Sequence, residues 1–203
     1  MAARGEATRE KLLAAAEALI LRNGYAGATI DEVIAETGAT TGAFFHHFKS
    51  KADLARAVVE RYTENDFALF REWSARADRL SDDPLERVLI FLKLFEEFLD
   101  GLGAPFPGCI FASYTLETHQ FDDAMRAYLK EKFGEWIAMF EVKLEALVKA
   151  RAPARPVTAR ALAEMIGSII EGGFILAKAF NDKSWVQRQC AEYRAYIEML
   201  FRR

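Results

Sequence analysis

The sequence predicts an all-α protein of about nine helices, in which three short helices are followed by a larger helical domain. Nearly every segment places its apolar residues three and four positions apart, which is the spacing of one helix face. No segment shows the apolar–polar alternation of a half-buried strand. Glycine, proline and helix-capping residues separate the segments. We place the domain boundary at the start of the fourth helix, which gives domains at residues 1–52 and 53–203.

The first two helices are defined by their apolar faces and by their ends. Residues 8–24 read TREKLLAAAEALILRNG, and Gly24 is the predicted helix stop. The apolar face of this helix consists of Leu12, Ala16, Leu19 and Ile20. The next segment, ATIDEVIAETG, begins with Thr29 and has Glu32 three positions later, which is the spacing of a capping box. Gly38 ends this second helix.

Similar signals predict the other helices. Residues 40–48 are expected to form the third helix, and Ser50 is expected to cap a fourth that extends past Trp73. Pro84 suits the first turn of a fifth helix, and the glycines and prolines of GLGAPFPG (101–108) predict a loop. The expected last four helices are a short one at 109–118 and longer ones at about 121–150, 157–180 and 184–201.

The composition is that of a globular protein, with no segment suited to membrane insertion or secretion. Hydrophobic residues make up 52% of the 203 residues, and the formal net charge is −3. Any attraction to nucleic acid must therefore be local. The two cysteines, Cys109 and Cys190, are far apart and do not form a disulfide framework, which favours a reducing compartment. We expect a cytoplasmic protein that does not enter a membrane.

The link between the second and third helices indicates a helix-turn-helix motif. Only Gly38 and Ala39 separate these helices, and the second member of such a pair can enter a DNA major groove. At about 100° per residue, Phe44 and Phe48 share the core side of the third helix. The opposite side carries Thr41, Gly42, Phe45 and His46, with His47 at the flank. Because this geometry also occurs in bundles that bind nothing, the spacing alone leaves DNA binding open.

Small and basic residues near the third helix are suited to DNA. Thr41 and Gly42 allow the backbone to approach base edges, and a threonine can bond several bases or touch a thymine methyl group. Lys49 and Lys51 are placed where phosphates would pass. Residues 1–51 contain six basic and six acidic side chains, so binding requires the basic ones to cluster on one surface.

No catalytic motif, cofactor or metal site is predicted. The chain lacks a phosphate loop, a Gly-x-Ser-x-Gly elbow, a His-Glu-x-x-His pair and a Cys-x-x-Cys pair. His46 and His47 are adjacent, so they diverge by about 100° on a helix, and no third ligand is near. We therefore expect a protein that is not an enzyme.

The segment TIDEVIAETGATTGAFFHHFKSKADL (29–54) resembles the DNA-binding region of the TetR family of transcriptional regulators. The resemblance includes the Gly38 turn, Gly42, the Phe44 and Phe48 pair and the lysine-serine-lysine entry to the fourth helix. It implies a helix-turn-helix DNA-binding domain at 1–52, a ligand-binding and dimerisation domain at 53–203, and a homodimeric repressor released by a ligand. By resemblance, the DNA-facing positions are Thr29, Thr40, Thr41, Gly42, Phe45, His47 and Lys51.

The candidate DNA-binding residues also include His46 and Lys49. The sequence departs from the TetR pattern at two positions. A tyrosine is usual at position 45, and Phe45 lacks the hydroxyl that often contacts phosphate. Ile34 stands in place of a usual alanine, which changes the packing between the first two helices.

The second domain places polar and amphipathic side chains in an apolar region, as a ligand pocket would. Buried polar groups need partners, and a pocket with an apolar wall and a few convergent polar groups supplies them. The expected lining residues are Cys109, Phe111, Tyr114, Glu117, Trp136, Phe140 and Phe174. The alternative is that most of these side chains belong to the core.

Cys109 is also a candidate sensing thiol. FPGCIFASYTLET (106–118) resembles a Gly-Cys segment of one branch of the family, in which some members respond to reactive or small unsaturated compounds. Ser113 replaces the usual asparagine of that segment. Cys109 is expected at the start of a helix, where the helix dipole and the unpaired backbone N–H groups favour the ionised thiolate form of a cysteine. The alternative is that Cys109 is a small buried hydrophobe.

The last two helices are apolar around much of their circumference, and Gly167, Gly172 and Gly173 permit close helix approach. A two-fold partner would cover them in a four-helix dimer interface, whereas the alternative is a wholly intrachain core. The expected function is a homodimeric repressor released from a palindromic operator by a small apolar or electrophilic ligand. The alternative function is a helical protein–protein adaptor with a non-functional helix-turn-helix.

Overall fold

The computed structural model describes residues 2–101 and 108–202, and within them the regular elements are nine α-helices and one short 3₁₀ helix, Thr118–Gln120. The prediction of an all-α protein is confirmed. The α-helices are α1 (Ala2–Gly27), α2 (Ile30–Thr37), α3 (Thr41–His47), α4 (Lys51–Leu80), α5 (Pro84–Gly101), α6 (Ile110–Leu116), α7 (Asp123–Ala150), α8 (Ala159–Phe180) and α9 (Ser184–Phe201).

Some element ends differ from the prediction. The helix α1 is interrupted at Gly24 rather than ended there, because this glycine adopts φ 78° and ψ 169° and the chain then continues as a helix to Gly27. The helix α6 ends at Leu116, and the chain after it forms the 3₁₀ helix. Residues 102–107, which make up most of the predicted loop at 101–108, lie outside the described residues.

The chain packs as two compact units. The first unit contains Met1–Asn65 and Pro107–Glu131, and the second contains Asp66–Phe106 and Lys132–Arg203. This division differs from the boundary at residue 52, because the start of α4, the whole of α6 and the start of α7 pack with the first three helices. The helices α4 and α7 each contribute to both units.

The core of the first unit forms around α1, which packs against α2, α3 and α6. A helix as short as α3 is not stable alone, so its position depends on this packing. The rings of Phe44 and Phe48 lie 5.8 Å apart between centroids and are both buried. The other fully buried side chains of this core include Leu12, Leu13, Leu19 and Tyr114.

The core of the second unit forms where α9 packs against α5 and α8. Gly173 allows α8 to approach α9 closely, because a Cβ atom there would lie only 3.0 Å from Val186 Cα. Between α5 and α9, the buried carboxylate of Glu96 pairs with Arg194 at 2.7 Å between Oε1 and Nε. Pairing compensates for the cost of burying that charge.

Among residues 2–101 and 108–202, no helix has the length and apolar character needed to cross a membrane.

Candidate functional site

The turn between α2 and α3 is fixed by local hydrogen bonds. Gly38 ends α2 in the left-handed region at φ 65°, and Thr40 caps α3 by accepting a hydrogen bond from the Ala43 N–H at 3.1 Å. At the start of α2, the predicted capping box is present, since Thr29 and Glu32 each accept a hydrogen bond from the other's backbone. The backbone N–H and the hydroxyl of Thr29 both donate to the Glu32 carboxylate, and these two bonds lower the pKa of Glu32.

The helix α3 has the two faces that its sequence predicts. Phe44 and Phe48 are buried, whereas the ring of Phe45 is 51% exposed. Thr41, Gly42 and His46 are also exposed, and His47 is half-buried. The prediction that Phe44 and Phe48 form the core side is confirmed, and the contacts of the exposed side with DNA stay a prediction.

The start of α4 gives its two lysines different surroundings. Lys49 is exposed, and its backbone N–H donates to Asp53 Oδ2 at 2.9 Å. The Nζ atom of Lys51 donates to the Ala26 carbonyl at 3.1 Å and lies 4.5 Å from the centroid of the Tyr25 ring. Burial lowers the pKa of Lys51, although Glu117 and Glu32 oppose that shift. Lys51 therefore holds the end of α1, a role that its sequence position did not predict.

The carboxylate of Glu117 holds the same end of α1. Its Oε1 accepts from the Tyr25 N–H at 2.7 Å, and its Oε2 accepts from the Ala26 N–H at 2.8 Å. Gly24 makes this approach possible, because a Cβ atom at that position would lie 2.5 Å from Glu117 Oε1. No sequence period relates positions 92 residues apart, so this contact was not predictable from spacing.

Tyr114 joins α6 to α1 and α4. It is fully buried, its hydroxyl donates to the Ala55 carbonyl at 3.1 Å, and its ring lies 5.8 Å from Tyr25 and 4.8 Å from Phe121. Burial raises the pKa of this hydroxyl well above its usual range. The ring of Phe111 on the same helix meets Tyr62 edge-on at 5.9 Å. In the first unit, α6 is therefore tied by its own side chains to α1 and α4.

The predicted ligand-lining residues divide between the two units. Cys109, which is a buried residue at the start of α6, belongs with Phe111, Tyr114 and Glu117 in the first unit. Trp136, Phe140 and Phe174 belong to the second unit, where Trp136 and Phe140 lie 4.8 Å apart and Phe174 is buried on α8. That these residues contact a ligand stays a prediction.

Asp66 is a polar residue of the second unit that the sequence pattern did not single out. Asp66 is half-buried, and the side chain of Trp136 lies near its carboxylate. Burial raises the pKa of Asp66 to about 6, and the Trp136 side chain opposes that shift. Because folding raises this pKa, ionised Asp66 lowers the free energy of unfolding above about pH 6. This loss of stability disappears as the pH falls from 6 towards 3.8, the ordinary pKa of an aspartate. The sequence could have indicated this residue, because Asp66 lies four positions from both Tyr62 and Phe70. That spacing places a carboxylate on the apolar face of a helix.

In the described part of the chain, no three His, Cys, Asp or Glu side chains are placed to hold a metal ion. The rings of His46 and His47 lie 5.0 Å apart in an edge-to-face arrangement.

Two family models match the chain. Residues 12–58 match the model of the bacterial regulatory proteins of the tetR family. Residues 84–191, more than half of the chain, match the C-terminal domain described as transcriptional regulator LmrA/YxaF-like.

Relatives with curated descriptions match over most of both chains. The HTH-type transcriptional regulator LmrA of Bacillus subtilis is 28% identical over 177 residues, which are 84% of this chain and 86% of that protein. The uncharacterized HTH-type transcriptional regulator YxaF of the same organism is 28% identical over 185 residues, or 91% of each chain.

Solved structures share the fold. A TetR-family regulator from Agrobacterium tumefaciens superposes with a TM-score of 0.79 at 23% identity, covering 97% of this chain and 99% of its own. The reduced form of NemR from Escherichia coli superposes with a TM-score of 0.73 at 20% identity, and the match covers 93% of this chain and 95% of the NemR chain. Taken with the helix-turn-helix geometry and the family matches, these similarities show that the chain belongs to the TetR family of DNA-binding transcriptional regulators, with a C-terminal domain of the LmrA/YxaF-like type.

Proposed function

We propose that this regulator is a homodimeric repressor that binds a palindromic operator and is released from it by a small apolar ligand. The observation that carries the proposal is the exposed face of α3, which is held outward by the buried rings of Phe44 and Phe48. In a dimer, each α3 would enter a major groove, with half-sites about 34–36 Å or a multiple of it apart.

The candidate DNA surface divides into base-reading and phosphate-binding positions. Thr41 and Gly42 are small and exposed at the start of α3, where they would lie near base edges. Lys49 is exposed after the end of α3 and would meet a phosphate. Phe45 has no hydroxyl, so we assign it to apolar packing against sugar.

Two substitutions should have different effects on DNA binding. Lys49→Ala should weaken binding to all sequences alike and reduce the salt slope by about one, because it removes one phosphate charge. Thr41→Ala should change the relative affinities for operator variants by about 1–3 kcal/mol at the contacted base pair. Both are measured by fluorescence anisotropy at several salt concentrations, with DNA from around the gene itself. If the wild type shows no sequence-selective binding, the repressor proposal fails and an adaptor role gains support.

The surface of α8 and α9 supports the dimer. Exposed apolar side chains on these helices include Met165, Ile175, Leu176, Phe180 and Met199. A Cβ atom placed at Gly172 would have no neighbour within 4 Å among the described residues, so the backbone of α8 is uncovered at this position. A partner copy of the same two helices would cover this surface in a two-fold interface.

Ile175→Lys should dissociate the dimer. Ile175 is 58% exposed, so the substitution leaves the core intact but places an unpaired charge on the proposed interface. We expect the monomer mass in light scattering and operator binding weakened by at least about tenfold. The matched control is Val142→Lys, which places the same charge at a 65% exposed position of α7. Equal masses for wild type and Ile175→Lys would exclude this interface.

The contacts of α6 provide a route by which a ligand would affect DNA binding. Tyr114 bonds the Ala55 carbonyl in α4, and Glu117 bonds the Tyr25 and Ala26 amides at the end of α1. Any ligand that displaces α6 would therefore move the helices on both sides of α2 and α3. Release requires that the ligand prefer the displaced form, and a coupling of roughly 1–3 kcal/mol is usual.

Glu117→Gln should weaken both the fold of the first unit and DNA binding. A glutamine supplies one carbonyl acceptor and presents its NH₂ group to the second backbone N–H, so one amide loses its partner. The expected loss is roughly 1–3 kcal/mol, seen as a lower unfolding midpoint and weaker operator affinity. Glu64→Gln, at an exposed position of α4, is the control and should match the wild type. If Glu117→Gln binds the operator with unchanged affinity, the contacts of Glu117 do not transmit a displacement of α6 to the DNA-binding helices.

An electrophilic ligand is a second candidate because Cys109 begins α6. An adduct on this buried thiol would displace the same helix that Tyr114 and Glu117 hold. If the ligand is electrophilic, DNA release should be lost in Cys109→Ser while operator affinity without ligand is kept. Release is followed by anisotropy, and the adduct by intact mass. Equal release by both proteins would assign a non-covalent ligand.

A further inference from the structure

The guanidinium group of Arg9 on α1 lies over an aromatic ring at the end of α3. It stands 5.6 Å from the centroid of the Phe48 ring, and Phe48 is the residue that ends α3. Among the described residues, Arg9 forms no ion pair, and the adjacent Glu10 binds Arg61 on α4 at 3.0 Å instead. An arginine carries five N–H donors. Those of Arg9 are therefore available to a partner outside the chain.

Packing holds Arg9 beside the candidate DNA surface. Arg9 is half-buried and the Phe48 ring is buried, so the arginine side chain helps to cover the ring. The first turn of α1 also passes over α3, because a Cβ atom at Gly5 would lie 3.9 Å from His47 Cε1. The ring attracts the cation through its quadrupole. The guanidinium group is thus positioned in advance, which reduces the cost of ordering it when a partner binds.

The end of α3 at which Arg9 lies is suited to the DNA backbone. In helix-turn-helix proteins, the first residues of the recognition helix meet base edges in the major groove. Here those residues include Thr41 and Gly42, whereas Phe48 follows the last residue of α3. The exposed Lys49 comes next in the chain, so two basic side chains lie at this end. A planar guanidinium group binds phosphate oxygens in pairs through its fork of N–H groups.

The contacts of Arg9 differ from those of an arginine that only joins two helices. Arg61, which joins α4 to α1, is paired with Glu10 and Glu17 at 3.0 and 2.6 Å. Arg9 has an aromatic ring on one side and no carboxylate among the described residues to balance its charge. We propose that Arg9 is a phosphate-binding residue that anchors α1 to the DNA backbone beside the end of α3. This assignment rests on the proposed function, since it adds a contact to the proposed DNA surface.

Arg9→Gln should weaken binding to all DNA sequences alike, with a loss that depends on salt. Each phosphate contact contributes about 0.9 to the slope of log affinity against log salt concentration. We therefore expect the slope to fall by about 0.9 for each bound protomer, so that the loss of affinity per protomer shrinks about eightfold over a tenfold increase in salt. Fluorescence anisotropy measures binding to DNA from around the gene itself and to a random-sequence duplex of the same length. A wild-type slope in Arg9→Gln would overturn the assignment.

Two further variants separate a phosphate contact from a structural role. Lys11→Gln removes the same charge from an exposed position of α1, about 200° around the helix from Arg9, and should keep the wild-type slope. Arg9→Lys keeps the charge and should retain most of the slope while losing the planar fork. An Arg9→Gln protein with a lower unfolding midpoint and an unchanged slope would show a structural role only. Equal losses of slope in Lys11→Gln and Arg9→Gln would show an effect of net charge, and either result would overturn the assignment.

The contacted phosphate can be located with modified DNA. A series of duplexes, each with one neutral methylphosphonate linkage, removes single phosphate charges. At the linkage that Arg9 contacts, the wild type should lose affinity by at least about fivefold, whereas Arg9→Gln should lose none. If Arg9→Gln does not fold, Arg9→Lys takes its place and should show a smaller loss than the wild type at that linkage. Identical losses in wild type and variant at every linkage would contradict the contact.

The random-sequence duplex makes the two proposals fail in different ways. A wild type that binds both duplexes equally, with a slope that still falls in Arg9→Gln, would support the phosphate contact and contradict the operator-specific repressor. Sequence-selective binding with a wild-type slope in Arg9→Gln would support the regulator and contradict the contact. A wild type that binds neither duplex would contradict both.

Discussion

Two hydrogen bonds from the backbone of α1 to the carboxylate of Glu117 are the interaction on which the arrangement of the first unit depends. Inside a regular helix, the N–H groups of Tyr25 and Ala26 would bond carbonyls four residues earlier. The positive φ of Gly24 interrupts that pattern, and Glu117 accepts from both groups. Because the acceptor is ionised, these bonds are stronger than neutral ones. The segment after α6 thereby becomes part of the support for the helix-turn-helix.

Other contacts at the end of α1 also stabilise the packing of the first unit. Lys51 bonds the Ala26 carbonyl, so the end of α1 is bound on its acceptor side as well as on its donor side. The rings of Tyr25, Tyr114 and Phe121 pack together beside it. A seven-residue helix such as α3 has little stability of its own, so the direction in which it presents Thr41 is set by this surrounding packing.

The second unit contains the opposite case, in which a charge is buried without full compensation. Glu96 is paired with Arg194, whereas the half-buried Asp66 lies near the side chain of Trp136 and its pKa is raised by burial. Such a group lowers the stability of the folded state at neutral pH.

Features that depend on neighbours within one or two helical turns could be predicted from the sequence alone. The capping box of Thr29 and Glu32, the left-handed Gly38 and the buried faces of Phe44 and Phe48 all involve residues three to four positions apart or a single residue. Local spacing encodes such contacts directly, so the all-α class and the two faces of α3 were predictable. Only the packing of the helices established that Glu117 meets the end of α1, that Tyr114 bonds Ala55 and that Trp136 meets Asp66. These partners are far apart in the chain, and which of them meet depends on how whole helices pack, which no local period specifies.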